Sequence, residues 1–129
     1  MKKKILVDMS AAIIHHGHIR LIKKASKYGK VTIALTTDRE IKKKKGVKPE
    51  LNFSQRKEIL SSIKYVTKII PSPWLIDEKF MKKYKFDFLI HGNDNKNLVN
   101  KKKTIIFKRT KGISTTLLRK KSFKNLSQN

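Results

Sequence analysis

The stretch His15-His16-Gly17-His18 decides how this chain is read, because an apolar run, Ile5-Leu6-Val7, precedes it and a helix-patterned segment, Ile19, Leu21, Ile22 and Ala25, follows. Strand, tight turn and helix in that order put imidazoles and free backbone N–H groups at a helix N-terminus, where phosphate binds readily. Glycine at 17 lets the backbone come close to a ligand. His15 and His18 stand three apart, so both can face one phosphate from the first helical turn. His16, between them, reads as a spacer on the helix face.

The far end of the chain repeats the pattern. Arg109-Thr110-Lys111-Gly112-Ile113-Ser114-Thr115-Thr116 follows a β-branched run, Thr104-Ile105-Ile106-Phe107, and again looks like strand, turn and helix cap. Ser114 suits an N-cap, and Ser114, Thr115 and Thr116 offer hydroxyls and N–H groups beside the fixed positive fork of Arg109.

With both motifs present, the chain resembles the cytidylyltransferase family, of which glycerol-3-phosphate cytidylyltransferase is typical, and the resemblance covers nearly its whole length. It implies CMP transfer from CTP to a small phosphate or phosphonate acceptor, with loss of pyrophosphate and no covalent intermediate. It also implies that His15 and His18 sit on the triphosphate and stabilise the pentacoordinate transition state, with Lys45 and Arg109 as further catalytic groups. Nucleotide contacts are expected from Met9, Ser10, Gly17, Arg56, Gly92, Asp94, Gly112, Ile113, Ser114 and Thr115 as well as His18 and Arg109. Arg56 is carried over from its setting, Arg56-Lys57-Glu58-Ile59-Leu60. Lys45, before Gly46, resembles a loop lysine that closes over the triphosphate, its register open among Lys42 to Lys45.

Two departures from the family pattern stand out. Relatives usually carry an aromatic residue and an Asp where this chain has Ala11 and Ala12, and Asn93 replaces the first carboxylate of a strand-end Gly-Asp-Asp, leaving His91-Gly92-Asn93-Asp94. A magnesium ion is expected to arrive with the nucleotide. No metal-ligand set is assigned, Asp8 and Asp94 being the few carboxylates near the motifs.

Composition narrows the classes. A chain of 129 residues suits one domain with one core. Cysteine is absent, which excludes a disulfide framework and a thiolate zinc site. The start Met1-Lys2-Lys3-Lys4 imitates a signal peptide, but the apolar run breaks at Asp8, and no stretch reaches membrane-spanning length. A cytoplasmic protein is expected. The net charge of +24 points to anionic partners; of the 33 basic residues 28 are lysines spread over every segment, which favours a solvated surface over a dedicated nucleic-acid face.

In chain order, strands are predicted at 3–9, 31–36, 67–70 (stopped by Pro71), 87–91 and 104–107. Helices are predicted at 16–28, from a Ser54 cap with Ile59, Leu60 and Ile63 inward, at 75–84 with Leu75, Phe80 and Met81 inward, and after Ser114. Residues 37–52 read as a long basic loop, and 125–129 as a frayed tail beyond a domain spanning 1–124. Strands alternating with helices imply a Rossmann-like, doubly wound, five-stranded parallel sheet with helices on both faces, in a single α/β domain. The switch point falls at the end of the first strand, where the histidine motif, the His91 turn and the Arg109 turn converge.

An adenylyltransferase using ATP shares both motifs and is the alternative within the fold. A non-catalytic, basic RNA-binding protein is the alternative from another class, although RNA binding does not require the histidine pair and the C-terminal string together. A homodimer is expected.

Overall fold

The chain alternates strand and helix because its apolar runs are short and β-branched while the segments between them carry apolar residues at helical spacing. The structure, a computed structural model, describes residues 2–128. Five strands, β1 (Lys4–Met9), β2 (Lys30–Thr36), β3 (Val66–Ser72), β4 (Phe88–Gly92) and β5 (Thr104–Phe107), form one sheet in the order β3-β2-β1-β4-β5. Every neighbouring pair is parallel. The order reverses between β1 and β4, which opens a crevice at their carboxyl ends.

Five α-helices cover the sheet: α1 (His16–Ala25), α2 (Asp38–Lys45), α3 (Phe53–Ser61), α4 (Glu78–Lys83) and α5 (Thr115–Ser127). Alternate residues of the strands feed two cores. Ile5, Val7, Val31 and Ile33 pack with Ile22 and Ala25 of α1 and Leu60 of α3 on one face. Leu6, Ala34 and Leu89 pack with Met81 of α4 on the other. Asp8 therefore shares the α4 face with Leu6, near the end of a strand whose other buried residues are apolar.

Several boundaries differ from the sequence expectation, each for a local reason. Residues 38–45 are helical, not loop: Thr37 caps α2 by accepting from Glu40 N–H, Asp38 and Glu40 sit in the first turn, four lysines sit in the last, and Gly46 closes it at φ 79°. The pattern was hidden because Ile41 is the one buried residue of α2. The cap of α3 is Asn52, not Ser54, in a reciprocal box with Gln55. β3 passes through Pro71, which pairs with Leu35; this is possible because β3 is an edge strand. α1 ends at Ala25, and Leu75 and Ile59 are exposed. Of the expected tail, residues 125–127 belong to the last turn of α5, and Asn129 lies outside the described residues.

Arg56 holds the top of the sheet together. Its side chain is fully buried, and four of its N–H groups are engaged: Nε donates to Leu51 O (2.9 Å), Nη1 to Ser10 O (2.6 Å) and Thr36 O (2.8 Å), and Nη2 to Asp38 Oδ1 (2.6 Å). The guanidinium thus ties the ends of β1 and β2 to the start of α2 and the loop before α3. Arg56→Met fills similar volume but leaves those acceptors without a donor, so it should cost on the order of 3 kcal/mol in urea denaturation. Unchanged stability would refute the brace.

Candidate active site

The crevice between β1 and β4 deepens into a cavity of about 590 Å³. His15, Gly17 and His18 reach it from the start of α1, Met9 to Ala12 from the end of β1, Gly92 and Asp94 from the end of β4, and Arg109 with Ile113 to Thr116 from the segment after β5. Lys44 and Lys45 reach it from the last turn of α2, and Trp74 from the connection after β3. Lys42 lines a separate pocket, and Lys45 Nζ lies 5.5 Å from the centre of the Trp74 ring.

Two histidines cap α1 reciprocally. Gly17 N–H donates to His15 Nδ1, and His15 N–H donates to His18 Nδ1, both at 3.1 Å. This is the Ser-x-x-Glu capping box built from imidazoles. A ring nitrogen that accepts a hydrogen bond carries no proton, so both neutral rings hold their hydrogen on Nε2. Burial, with the neighbouring His15 and Arg109 adding to it, pushes His18 down to about 4. Burial, His16 and Arg109 lower His15 as well.

Gly17, which lines the cavity, has a second constraint beside the one its sequence setting suggests. A Cβ there would lie 2.8 Å from Cε1 and 2.9 Å from Nδ1 of His15, so any side chain would displace the capping ring. Gly112, at φ 77°, shapes the turn after Arg109 and is not among the cavity-lining residues. Arg56 does not line the cavity either; it acts behind the wall, through Ser10 O. His16 is exposed and outside the cavity.

Ser114 caps α5 by accepting from Leu117 N–H at 3.0 Å while lining the cavity, and Thr115 Oγ1 donates to Ile13 O at 3.1 Å. The N-termini of α1 and α5 are thereby joined side by side. Arg119, one turn into α5, pairs with Glu50 of the α2–α3 connection and also borders the cavity. Ala11, at φ 48°, and Ala12 also line the cavity and are almost fully buried.

Gly92 and Asp94 are expected nucleotide contacts from the sequence, but His91 and its pairing with Asp8 were not foreseen. Its Nδ1 faces Asp8 Oδ1, its Nε2 faces Asp94 Oδ1, and Asn97 Nδ2 donates to Asp8 Oδ2. A sequence signal existed: a charged residue follows Ile5-Leu6-Val7 in a buried strand and needs a partner. Finding that partner required knowing that β1 lies beside β4. Among the described residues no three acidic, histidine or cysteine side chains gather as a metal site. Asp8 and Asp94 are both engaged with His91.

The comparisons agree with this geometry. The cytidylyltransferase-like family model matches residues 10–121. The chain is 33% identical to glycerol-3-phosphate cytidylyltransferase of Staphylococcus aureus over 127 residues, 94% of this chain and 96% of that one. It is 28% identical to a probable ethanolamine-phosphate cytidylyltransferase of Schizosaccharomyces pombe, but spans only 35% of that protein. In fold it is similar to the lipopolysaccharide core biosynthesis protein of Thermoplasma volcanium, with a TM-score of 0.71 at 19% identity over 85% of this chain and 99% of that one. A parallel sheet with two capped helix N-termini facing one crevice, matched over most of its length by that family's pattern, makes this chain a member of the cytidylyltransferase-like family.

Proposed function

We propose that the chain transfers a cytidylyl group from CTP to a small phosphate-bearing acceptor, with glycerol 3-phosphate as first candidate and related phosphates or phosphonates behind it. The observation that carries this reading is the convergence of His15 and His18, after β1, and Arg109 and Ser114, after β5, on one cavity. Glycerol 3-phosphate comes first because the Staphylococcus aureus relative named for it is matched over nearly all of both chains.

In this reaction an acceptor phosphate oxygen attacks the α-phosphorus, the bond to the bridging oxygen breaks, and pyrophosphate leaves. Charge spreads over crowded oxygens, so catalysis is positioning and electrostatic stabilisation. The Nε2–H groups of His15 and His18 are preorganised donors for those oxygens, because each Nδ1 is already occupied by the helix cap. The N-terminus of α5 and Arg109 complete the anion site. Lys44 and Lys45 stand at the end of a helix that can bring them over the triphosphate. The cavity walls at Ala11 and Ala12 leave the acceptor to be held by positive charge, which is what a phosphate or phosphonate chiefly requires. Magnesium bound to the triphosphate would neutralise charge further.

A pyrophosphate-release assay with CTP and glycerol 3-phosphate, preceded by thermal-shift screening of CTP, ATP, UTP and GTP, tests the reading. CTP should give the largest stabilisation and pyrophosphate should appear. If no triphosphate stabilises the chain while RNA binds it at physiological salt, the transferase reading fails.

The cap geometry selects the informative substitution. Glutamine at position 18 retains an acceptor for His15 N–H, as in an ordinary capping box. His18→Gln should therefore keep the fold while lowering turnover by roughly two to three orders of magnitude. Near-normal turnover would remove His18 from the chemistry. The same histidine makes stability fall in acid. Its folded pKa of about 4 lies below the ordinary 6.5, so the folded chain binds fewer protons between those values. The stability contributed by the neutral ring is present above pH 6.5 and lost as pH falls through 4. Melting temperature should drop across that window, and drop less in His18→Gln.

A further inference from the structure

The floor of the cavity carries a chain of hydrogen bonds that the reaction scheme above does not use. Val7 of β1 stands opposite Ile90 of β4, so Asp8 and His91 follow as the next neighbours along the two strands. Asp8 is 7% exposed. Its Oδ1 lies 2.5 Å from His91 Nδ1, and its Oδ2 accepts from Asn97 Nδ2 at 2.8 Å. The other ring nitrogen, Nε2, lies 3.3 Å from Asp94 Oδ1, and Asp94 Oδ2 lies 3.8 Å from Arg109 Nη2.

A carboxylate oxygen at each ring nitrogen asks for a hydrogen on both, and only the imidazolium supplies two. Burial opposes that charge, but the hydrogen bonds and charges of Asp8 and Asp94 outweigh it and raise His91 to about 9. The hydrogen bond from His91 and the charge of Arg109 in turn hold Asp94 down to about 2, against its own burial. Asp94 is half exposed, in the turn after β4, where an unrestrained side chain would sample several rotamers and lose that freedom on binding. One of its oxygens is instead pinned from behind, while the cavity remains open to the carboxylate.

We propose that His91 is a positioning residue: anchored by Asp8, it clamps Asp94 so that the carboxylate accepts a hydrogen bond from the nucleoside half of the bound nucleotide. The donor is a sugar hydroxyl or the base amine. The inference rests on the nucleotidyltransferase reading. It assigns this end of the cavity to the nucleoside and the histidine-capped end to the phosphates.

Binding titrations of CTP and of inorganic triphosphate, which lacks sugar and base, test the assignment. His91→Gln and Asp94→Asn should each weaken CTP about tenfold to a hundredfold, as loss of a hydrogen bond to a charged group does, without a matching loss of inorganic triphosphate. The two substitutions combined should be no worse than Asp94→Asn alone, because His91 acts through Asp94. Asp8→Asn combined with His91→Gln removes the buried charge together with its partner, and it should show the same CTP loss without the burden of an unpaired carboxylate. The nucleotide lacking the donor is spared: dCTP for the 2′-hydroxyl, UTP for the amine, neither for the 3′-hydroxyl. Wild-type affinity for CTP in His91→Gln overturns the proposal, as does an equal loss of CTP and inorganic triphosphate or full additivity with Asp94→Asn. A wild-type chain that binds inorganic triphosphate but no CTP overturns the nucleotidyltransferase reading itself.

Discussion

The pair of hydrogen bonds that caps α1 is the constraint on which the site depends. A helix start leaves backbone N–H groups without partners, and most chains satisfy them with a hydroxyl or a carboxylate. Here His15 Nδ1 accepts from Gly17 N–H and His18 Nδ1 accepts from His15 N–H. The arrangement fixes the tautomer of both rings and turns two ordinary histidines into neutral Nε2–H donors. It requires glycine at 17, because the capping ring occupies the space a Cβ would take. It also joins the cavity to the fold, since two side chains that line the cavity are the ones that start the helix.

Cations in this chain divide into two populations. The lysines lie mostly on the surface, where they attract anions over a distance and cost little. Arg56 and His91 are held inside by specific acceptors: three carbonyls and Asp38 for the first, Asp8 and Asp94 for the second. Neither is available as a loose counter-charge. Arg56 shapes the cavity wall through Ser10 and Thr36, and His91 orders the turn that presents Asp94. Other cations line the cavity as well, among them Lys44 and Lys45 at the end of α2 and Arg109, which lies beside Asp94.

Much of the fold was legible because short β-branched runs and helix-spaced apolar residues alternate regularly from Lys4 to Phe107. The convergence of three motifs at the strand ends followed from the parallel topology alone. What escaped was written in tertiary contacts. α2 carries one buried side chain among lysines, so no periodicity announced it, although Thr37 and Gly46 marked both of its ends. Arg56 reads as a surface charge on a polar helix until the ends of β1 and β2 are placed around it. The Asp8–His91 pair joins residues far apart in sequence that only strand order makes neighbours. The histidine cap was half visible: the spacing gave the shared face, but not which ring nitrogen was already in use.

Nitrogen-15 NMR of the histidine side chains reads that last point directly. The account predicts that near neutral pH His15 and His18 are both neutral, with the hydrogen on Nε2 and a bare Nδ1, and that His18 stays so well below pH 6. It predicts that His91, in the same spectra, carries hydrogens on both nitrogens. Rings at 15 and 18 that titrate together near pH 6.5, or that carry their hydrogen on Nδ1, would contradict the reciprocal cap and the phosphate-facing donors derived from it.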